Sequence, residues 1–122
     1  MSIVVKKIRS GIMYSRKALF VSQNLSWLAV EIDGSITMTR ENSLTNCQRR
    51  FVGMNMPIRK IGLDNNGMLR ALSDLKIQYP LTYEYNVYDF KGKGTYAKLL
   101  DDCSFGVYDF NNCLLYRATF EF

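Results

Sequence analysis

The C-terminal third of the chain, Leu81 to Phe122, alternates apolar and polar side chains with a period of two, which is the pattern of half-buried β-strands. The tetrapeptide Val-Tyr-Asp-Phe occurs twice there, at Val87 to Phe90 and at Val107 to Phe110, each time followed by turn-forming residues. We therefore predict that this stretch forms the sheet on which the rest of the chain is built. Four residues are too few to establish an internal duplication.

Turn residues divide this stretch into strands. Gly92 to Gly94 predict a reversal from the first strand into a second strand, Thr95 to Leu100. A third strand, from Phe105, is predicted to reverse at Asn111-Asn112 into a fourth strand that ends at Phe122, because asparagine tolerates positive φ. The product is a C-terminal meander.

A two-residue loop at Asn111-Asn112 places Phe105 and Val107 on one apolar face, which they share with Leu114, Tyr116, Ala118, Phe120 and Phe122. Tyr108 and Phe110 then lie on the opposite face. Two alternatives stay open for these aromatic side chains: short helices bury them, or they form an exposed contact surface.

The first half of the chain predicts two hairpins. Ser2 to Arg9 and Ile12 to Val21 are expected to pair around the turn signal Ser10-Gly11. The second hairpin reverses at Asp33-Gly34. We prefer a three-residue loop with Gly34 left-handed, which aligns Val30 with Ile36, over a two-residue loop that pairs Val30 with Thr37. The preferred register also aligns Leu28 with Met38.

Two segments have apolar residues at helical spacing. Asn42 to Gly53 places Leu44, Cys47 and Phe51 on one side, with an asparagine or serine cap at its start. Asp64 to Gly67 is expected to open a second short helix, which ends before Pro80. The predicted fold is therefore α+β: one domain, residues 1–122, with a predominantly antiparallel twisted sheet packed by one or two short helices.

Composition limits the class of protein. The 122 residues are 48% apolar and 22% charged, as in a globular domain, and no segment has the apolar core of a secretory signal or the length of a membrane helix. We expect a cytoplasmic protein with no membrane partner. The three cysteines are an odd number and predict free thiols. Cys103 and Cys113 would lie on the order of 20 Å apart along a strand, too far for a disulfide.

The net charge of +5 is concentrated in the first half of the chain. Residues 1–60 contain ten Lys and Arg against three acidic residues, whereas residues 61–122 contain six against eight. Basic residues interleaved with aromatic residues are typical of surfaces that bind polyanions. The candidate macromolecule-binding residues are Lys6, Lys7, Arg9, Arg16, Lys17, Arg49, Arg50, Arg59, Lys60, Lys91, Lys93, Tyr108 and Phe110.

Signals for catalysis are weak. The chain has no histidine, which removes the usual general base and the commonest metal ligand, so we expect no enzyme, no metal and no cofactor. Gly92-Lys93-Gly94-Thr95 lacks the spacing of a phosphate-binding loop. Asp89 and Asp109 occupy equivalent places in the tetrapeptide and could converge as paired acids, but aspartate before a turn more commonly caps that turn.

These observations favour a non-catalytic binding protein that occupies a surface of a protein or nucleoprotein partner. By analogy it resembles compact phage or mobile-element inhibitors of host defence, such as anti-CRISPR proteins. The alternative is direct binding of DNA or RNA through the basic N-terminal half. A second alternative is nucleotide binding or hydrolysis in a pocket lined by Tyr83, Tyr85 and Asp109. Edge strands near Pro57 or at the C-terminus offer a route to homo-oligomers.

Overall fold

The structure is a computed structural model of the chain, and it is built from β-strands. It describes residues 3–15, 17–23, 26–41, 46–51, 58–73, 81–85 and 94–120; for residues 39–41, 46–51 and 85 it describes the backbone alone. These ranges contain strands in three sheets and no helix. The predicted α+β class is therefore wrong, and the described part of the chain is all-β.

Thirteen strands are described. In chain order they are β1 (Ile3–Val5), β2 (Ile8–Arg9), β3 (Met13–Ser15), β4 (Ala18–Val21), β5 (Ser26–Val30), β6 (Ile36–Glu41), β7 (Asn46–Phe51), β8 (Ile58–Leu63), β9 (Leu69–Ser73), β10 (Leu81–Tyr85), β11 (Tyr96–Leu99), β12 (Phe105–Tyr108) and β13 (Leu114–Phe120).

The strands form three sheets. Sheet 1 has the order β1-β4-β5-β6-β7, sheet 2 the order β10-β13-β12-β11-β2, and sheet 3 the order β3-β8-β9. All described pairs of strands are antiparallel except β1 and β4, which run parallel. Sheet 2 contains the predicted meander of β11, β12 and β13.

Two of the predicted hairpins do not form. The N-terminal residues are divided among the three sheets: β1 and β4 lie in sheet 1, β2 pairs with β11 in sheet 2, and β3 pairs with β8 in sheet 3. Likewise β10 pairs with β13 and not with β11. Both predictions assumed that neighbouring strands in the sequence pair with each other, whereas here distant strands provide the partners.

The first predicted helix is wrong because strand pairing overrides helical spacing. Asn46 to Phe51 form β7, which pairs with β6 over six residues, from Glu41↔Asn46 to Ile36↔Phe51. A complete backbone ladder satisfies the same donors and acceptors that a helix would satisfy, and local propensity is too weak to oppose it. Residues 42–45, 52 and 53 of the predicted helix lie outside the described ranges.

The second predicted helix is also wrong. Asp64 to Gly67 form the turn between β8 and β9, and β9 alternates buried Leu69 and Ala71 with half-buried residues. This period of two belongs to a strand with one face on the core. The predicted end of the helix before Pro80 lies outside the described residues. The cap assigned to Asp64 is real, but it caps a β-turn.

The register predicted for the second N-terminal hairpin is confirmed. Val30 pairs with Ile36 and Leu28 pairs with Met38, and Gly34 has a φ of 86°. All four paired side chains are buried. The turn thus sets which face of β5 and β6 enters the core, as the loop length predicts.

The C-terminal reversal differs by one residue from the prediction. Asp109 N–H donates to the Cys113 carbonyl at 3.0 Å, so the loop has three residues and ends in Asn112, whose φ is 64°. A bulge beside Tyr108 makes Leu115 buried and Leu114 only half-buried. Phe105 and Val107 still share the core face with Tyr116, Ala118 and Phe120, as predicted.

Aromatic side chains join the three sheets at the centre of the core. Phe20 of sheet 1 meets Phe105 of sheet 2 edge to face, with ring centroids 5.6 Å apart. Tyr14 of sheet 3 meets the same Phe20 ring at 5.9 Å, again edge to face. Such contacts add to the burial of apolar area, so this cluster is a main source of cohesion between the sheets.

Four turns repeat one hydrogen-bond pattern. The first residue donates its N–H to the carbonyl of the fifth and accepts from the N–H of the fourth, and the fourth has a positive φ. These turns are 31–35, 64–68, 100–104 and 109–113. An aspartate carboxylate accepts backbone N–H groups in each turn: Asp33, Asp64, Asp102 and Asp109.

Ionisation of Asp64 should make the free energy of unfolding depend on pH in the acidic range. Its burial raises the pKa, but hydrogen bonds from Met68, Arg70 and Asn66 outweigh this and hold the pKa below its ordinary value of 3.8. The folded state therefore favours the carboxylate, so the stabilisation is complete above the unfolded value of 3.8 and is lost as the pH falls through the lower folded pKa. Urea unfolding of the wild type and of Asp64→Asn can be measured from pH 6 to pH 2. The free energy of unfolding should decrease less in the variant than in the wild type. Identical losses below pH 3.8 would contradict this assignment.

Candidate binding surface

The outer face of sheet 2 brings together residues from three strands where β2, β11 and β12 lie side by side. Tyr96 pairs with Arg9 on one side and with Tyr108 on the other. Their neighbours Ile8, Ala97 and Val107 are buried. Because side chains alternate along a strand, Arg9, Tyr96 and Tyr108 form a row that faces away from the core.

The two tyrosines of this row stack on each other. Their ring centroids are 5.1 Å apart and their planes differ by 11°. Gly106 provides space for the Tyr108 ring, since a Cβ atom there would lie 3.0 Å from its Cε2 and Oη atoms. Burial, with the neighbouring Tyr96 as a second cause, raises the pKa of Tyr108 above 10.0, so this hydroxyl is uncharged at neutral pH.

A lysine covers each end of the stacked pair. Lys7 Nζ lies 4.1 Å from the centroid of the Tyr96 ring, and Lys98 Nζ lies 5.0 Å from that of Tyr108. These are cation-π contacts, in which the ammonium lies over the electron-rich ring face. The ion pairs described elsewhere in the chain use Arg70 and Arg117. Within the described residues, no carboxylate neutralises Lys7, Arg9 or Lys98.

An exposed aromatic ring lies in the turn that adjoins the row. Phe110 lies in the 109–113 turn and is 80% exposed. Tyr96 Oη donates to Asn112 Oδ1 at 2.9 Å, which attaches this turn to the stacked pair. We name the set Lys7, Arg9, Tyr96, Lys98, Tyr108 and Phe110 the tyrosine-lysine surface.

An ion-pair cluster borders this surface. Arg117 lies next to Gly106 in the adjoining row and donates to Glu84 at 2.7 Å and to Asp102 at 3.1 Å. The hydrogen bond to Glu84, then the charge of Asp102, raise the pKa of Arg117. Because two carboxylates surround Arg117, Lys7, Arg9 and Lys98 carry the unpaired positive charge among the described residues of this face.

Four of the predicted binding residues meet here: Lys7, Arg9, Tyr108 and Phe110. Of the two alternatives left open for these aromatic side chains, exposure applies to Phe110, whereas Tyr108 is half-buried against Tyr96. The other predicted binding residues are not part of this surface in the described chain. Lys6 is exposed before β2, Lys17 begins the turn into β4, and Arg59 and Lys60 lie on β8 of sheet 3. Arg49 and Arg50 are described as backbone of β7, and Arg16, Lys91 and Lys93 lie outside the described residues.

Sequence reasoning missed Tyr96 and Lys98. A signal was present, because the predicted strand Thr95 to Leu100 alternates apolar Ala97 and Leu99 with these two residues. That pattern places Tyr96 and Lys98 together on the outer face. The pattern does not show which residues lie beside Tyr96 and Lys98. The pairing of β11 with β2 and β12 shows this.

The residues considered for catalysis have structural contacts. Asp109 Oδ1 accepts the N–H groups of Asn111 at 2.8 Å and Cys113 at 3.0 Å, so it caps its turn. Tyr83 Oη donates to the Leu69 carbonyl at 3.0 Å. Asp89 lies outside the described residues, and the side chain of Tyr85 is not described. The described side chains thus provide caps and packing at these positions.

Cys103 and Cys113 are free thiols. In the described part of the chain, no group of three His, Cys, Asp or Glu side chains is placed to hold a metal ion. The same part of the chain contains no helix long and apolar enough to span a membrane.

A cleft of about 470 Å³ lies beside the 64–68 turn. It is lined by Gly11, Met13, Leu63, Asp64, Asn65, Arg70 and Leu72. The carboxylate of Asp64 already accepts three hydrogen bonds there, from Asn66, Met68 and Arg70. The main polar groups of this cleft therefore hold the turn together.

Comparison with known proteins gives a similarity of fold. No family model matches the sequence, and no curated protein matches it. The structure resembles that of a protein described as "Japanese Marasmius oreades lectin", with a TM-score of 0.65 over 96% of this chain and 94% of that chain. The sequences are 10% identical. At this identity, the likeness establishes a shared all-β architecture.

Proposed function

We propose that this chain is a non-catalytic binding protein that acts by occupying a surface of a macromolecular partner, and that the tyrosine-lysine surface makes the contact. The observation that carries the proposal is Phe110, 80% exposed beside a stacked tyrosine pair with a lysine at each end. Large aromatic and long cationic side chains dominate the binding energy of many interfaces. An inhibitor of a host defence or nucleic-acid-processing complex requires such a surface and no catalytic group.

The surface is also rigid enough to serve as a contact. Tyr96 is held by the ring of Tyr108 and by its hydrogen bond to Asn112. Tyr108 packs over Gly106. Side chains fixed before binding lose less conformational entropy on association, so more of their contact energy appears as affinity.

Affinity capture with matched variants tests the proposal. The immobilised wild-type chain and a Phe110→Ala/Lys98→Gln variant are incubated with lysate of the cells in which the protein occurs. We expect the wild type to retain a specific protein or nucleic acid that the variant loses, because the exposed ring and an accessible cation are removed together.

Ile32→Ala/Lys60→Gln is the control for this experiment. Ile32 is 70% exposed in a turn of sheet 1, and Lys60 is exposed on sheet 3, so the control removes an exposed apolar side chain and a lysine elsewhere. The control should retain what the wild type retains. If both variants capture the same material as the wild type, the tyrosine-lysine surface is not the contact.

A further inference from the structure

We infer that the partner of the tyrosine-lysine surface is single-stranded nucleic acid, with bases stacking on the aromatic rings and phosphates meeting the three cations. This inference rests on the proposed function, since it names the partner class of the same surface. Aromatic platforms beside basic residues are the means by which proteins bind single strands with little sequence preference.

The two tyrosine rings offer positions on which bases can stack. The ammonium groups of Lys7 and Lys98 lie 4.1 and 5.0 Å from the ring centroids of Tyr96 and Tyr108. Offset-stacked rings have centroids at a similar separation, roughly 4.5 to 7 Å. A base can therefore take the place of each ammonium on the ring face. Phe110, at 80% exposure, offers a third ring.

The two lysine charges stay available after bases displace them from the rings. A lysine ammonium is carried on a flexible four-carbon stem, so displacement from the ring moves the charge without removing it from the surface. A nucleotide that puts its base on the ring brings its own phosphate close by. Lys7 and Lys98 thus exchange a cation-π contact for a phosphate contact, and Arg9, next to Tyr96 in the row, supplies a third cation.

The same surface should distinguish single strands from duplexes. The charge on this face is modest, because Glu84 and Asp102 adjoin it and residues 61–122 contain more acidic than basic residues. Phosphate attraction alone is therefore a weak source of affinity here. In a duplex, the ring faces of the bases are stacked inside the helix and are not available to Tyr96, Tyr108 or Phe110. Stacking on these rings favours unpaired bases.

Fluorescence anisotropy with a labelled 15-nucleotide oligo-dT, a mixed-sequence single strand and its matched duplex tests the inference. We expect the single strands to bind at least tenfold more tightly than the duplex at 50 mM salt. A plot of the logarithm of the binding constant against the logarithm of the salt concentration should have a slope of about −2. Each phosphate contact contributes about −0.7 to this slope, and the surface has three cations.

Single variants separate stacking from charge. Phe110→Ala should weaken binding of the single strands about tenfold, because it removes one stacking ring. Lys7→Gln and Lys98→Gln should each reduce the salt slope by about 0.7. The controls are Ile32→Ala for the loss of an exposed apolar side chain and Lys60→Gln for the loss of a lysine, and both should bind as the wild type does.

Two results would overturn the inference. Equal affinity for duplex and single strand, unchanged by Phe110→Ala, would identify a basic patch without stacking. No binding of any oligonucleotide at 50 mM salt would exclude nucleic acid altogether. In that second case, a protein captured by the wild type and lost by Phe110→Ala/Lys98→Gln would leave the proposed function standing with an acidic protein as partner.

Discussion

Replacing Tyr116 with phenylalanine should destabilise the protein by about 3 kcal/mol, although it removes a single oxygen atom. Tyr116 is completely buried, and its hydroxyl accepts the N–H of Leu69 and donates to the carbonyl of Gly67, both at 2.8 Å. These bonds attach the 64–68 turn of sheet 3 to β13 of sheet 2. Without the hydroxyl, two buried backbone groups lose a partner, and each costs about 1–3 kcal/mol.

Urea unfolding followed by tyrosine and tryptophan fluorescence measures this loss. The matched control is Tyr14→Phe, which also removes a phenolic oxygen beside the core. The Tyr14 hydroxyl makes no hydrogen bond within the described part of the chain, so its loss should change the free energy of unfolding by less than about 0.5 kcal/mol. If Tyr116→Phe were as stable as Tyr14→Phe, the hydroxyl would not hold the two sheets together.

Gly67→Ala is expected to have a similar or larger effect, a loss of about 4 kcal/mol, for two independent reasons. Gly67 has a φ of 78°, a conformation that side chains disfavour. A Cβ atom at Gly67 would also lie 2.6 Å from the backbone nitrogen of Gly94 and 2.7 Å from its Cα. Because the opposing atoms are backbone, the clash cannot be relieved by a change of rotamer.

Asn112→Ala separates these two costs. Asn112 is the equivalent fourth residue of the 109–113 turn, with a φ of 64°, but it is exposed. Alanine there has the backbone cost and loses the exposed hydrogen bond from Tyr96, but it meets no buried clash, so we expect a loss of about 1–2 kcal/mol. Equal losses in Gly67→Ala and Asn112→Ala would mean that the contact with Gly94 is not tight. A larger loss for Gly67→Ala confirms that contact as a junction between the sheets.

Local chemistry was sufficient to predict the turn at Asp33-Gly34 and the place of the C-terminal reversal, although not the loop length of that reversal. Gly34 takes the left-handed conformation that aligns Val30 with Ile36, and the asparagine predicted at a C-terminal reversal occupies positive φ at Asn112. Aspartate caps were also predicted correctly for Asp109. These outcomes depend on a few neighbouring residues, whose preferences do not require the rest of the fold.

The repeat that the structure shows is different from the one visible in the sequence. The second Val-Tyr-Asp-Phe straddles the end of β12 and the 109–113 turn, and the first copy lies outside the described residues. The four turns that share one hydrogen-bond pattern are a clearer structural repeat than the tetrapeptide, although their sequences differ. Gly, Cys and Asn all occupy the fourth position, because that position selects a backbone conformation and not a side chain.

The helices were predicted wrongly for a non-local reason. Leu44, Cys47 and Phe51 have helical spacing, but residues 46–51 gain a six-residue ladder with β6. The spacing of apolar residues over a short segment fits either structure, and the partner strand decides between them. In β9, Leu69 and Ala71 are buried because β8 and Tyr116 lie beside them, which the segment itself does not encode.

For the candidate site, the sequence predicted Lys7, Arg9, Tyr108 and Phe110 as binding residues in separate segments. Only the pairing of β2 with β11 and of β11 with β12 places three of these beside Tyr96. The pairing also distributes Lys17, Arg59 and Lys60 over other sheets, so the basic N-terminal half is not one surface in the described chain.

The sequence by itself determined the strands of the C-terminal meander, the turn that sets the β5-β6 register, and which residue types were available for binding. The tertiary structure decided the all-β class, the division of the N-terminal residues among three sheets, and the assembly of the tyrosine-lysine surface. The physical reason is that alternation and turn preferences act within a few residues, whereas hydrogen-bonded pairing between strands joins residues far apart in the chain.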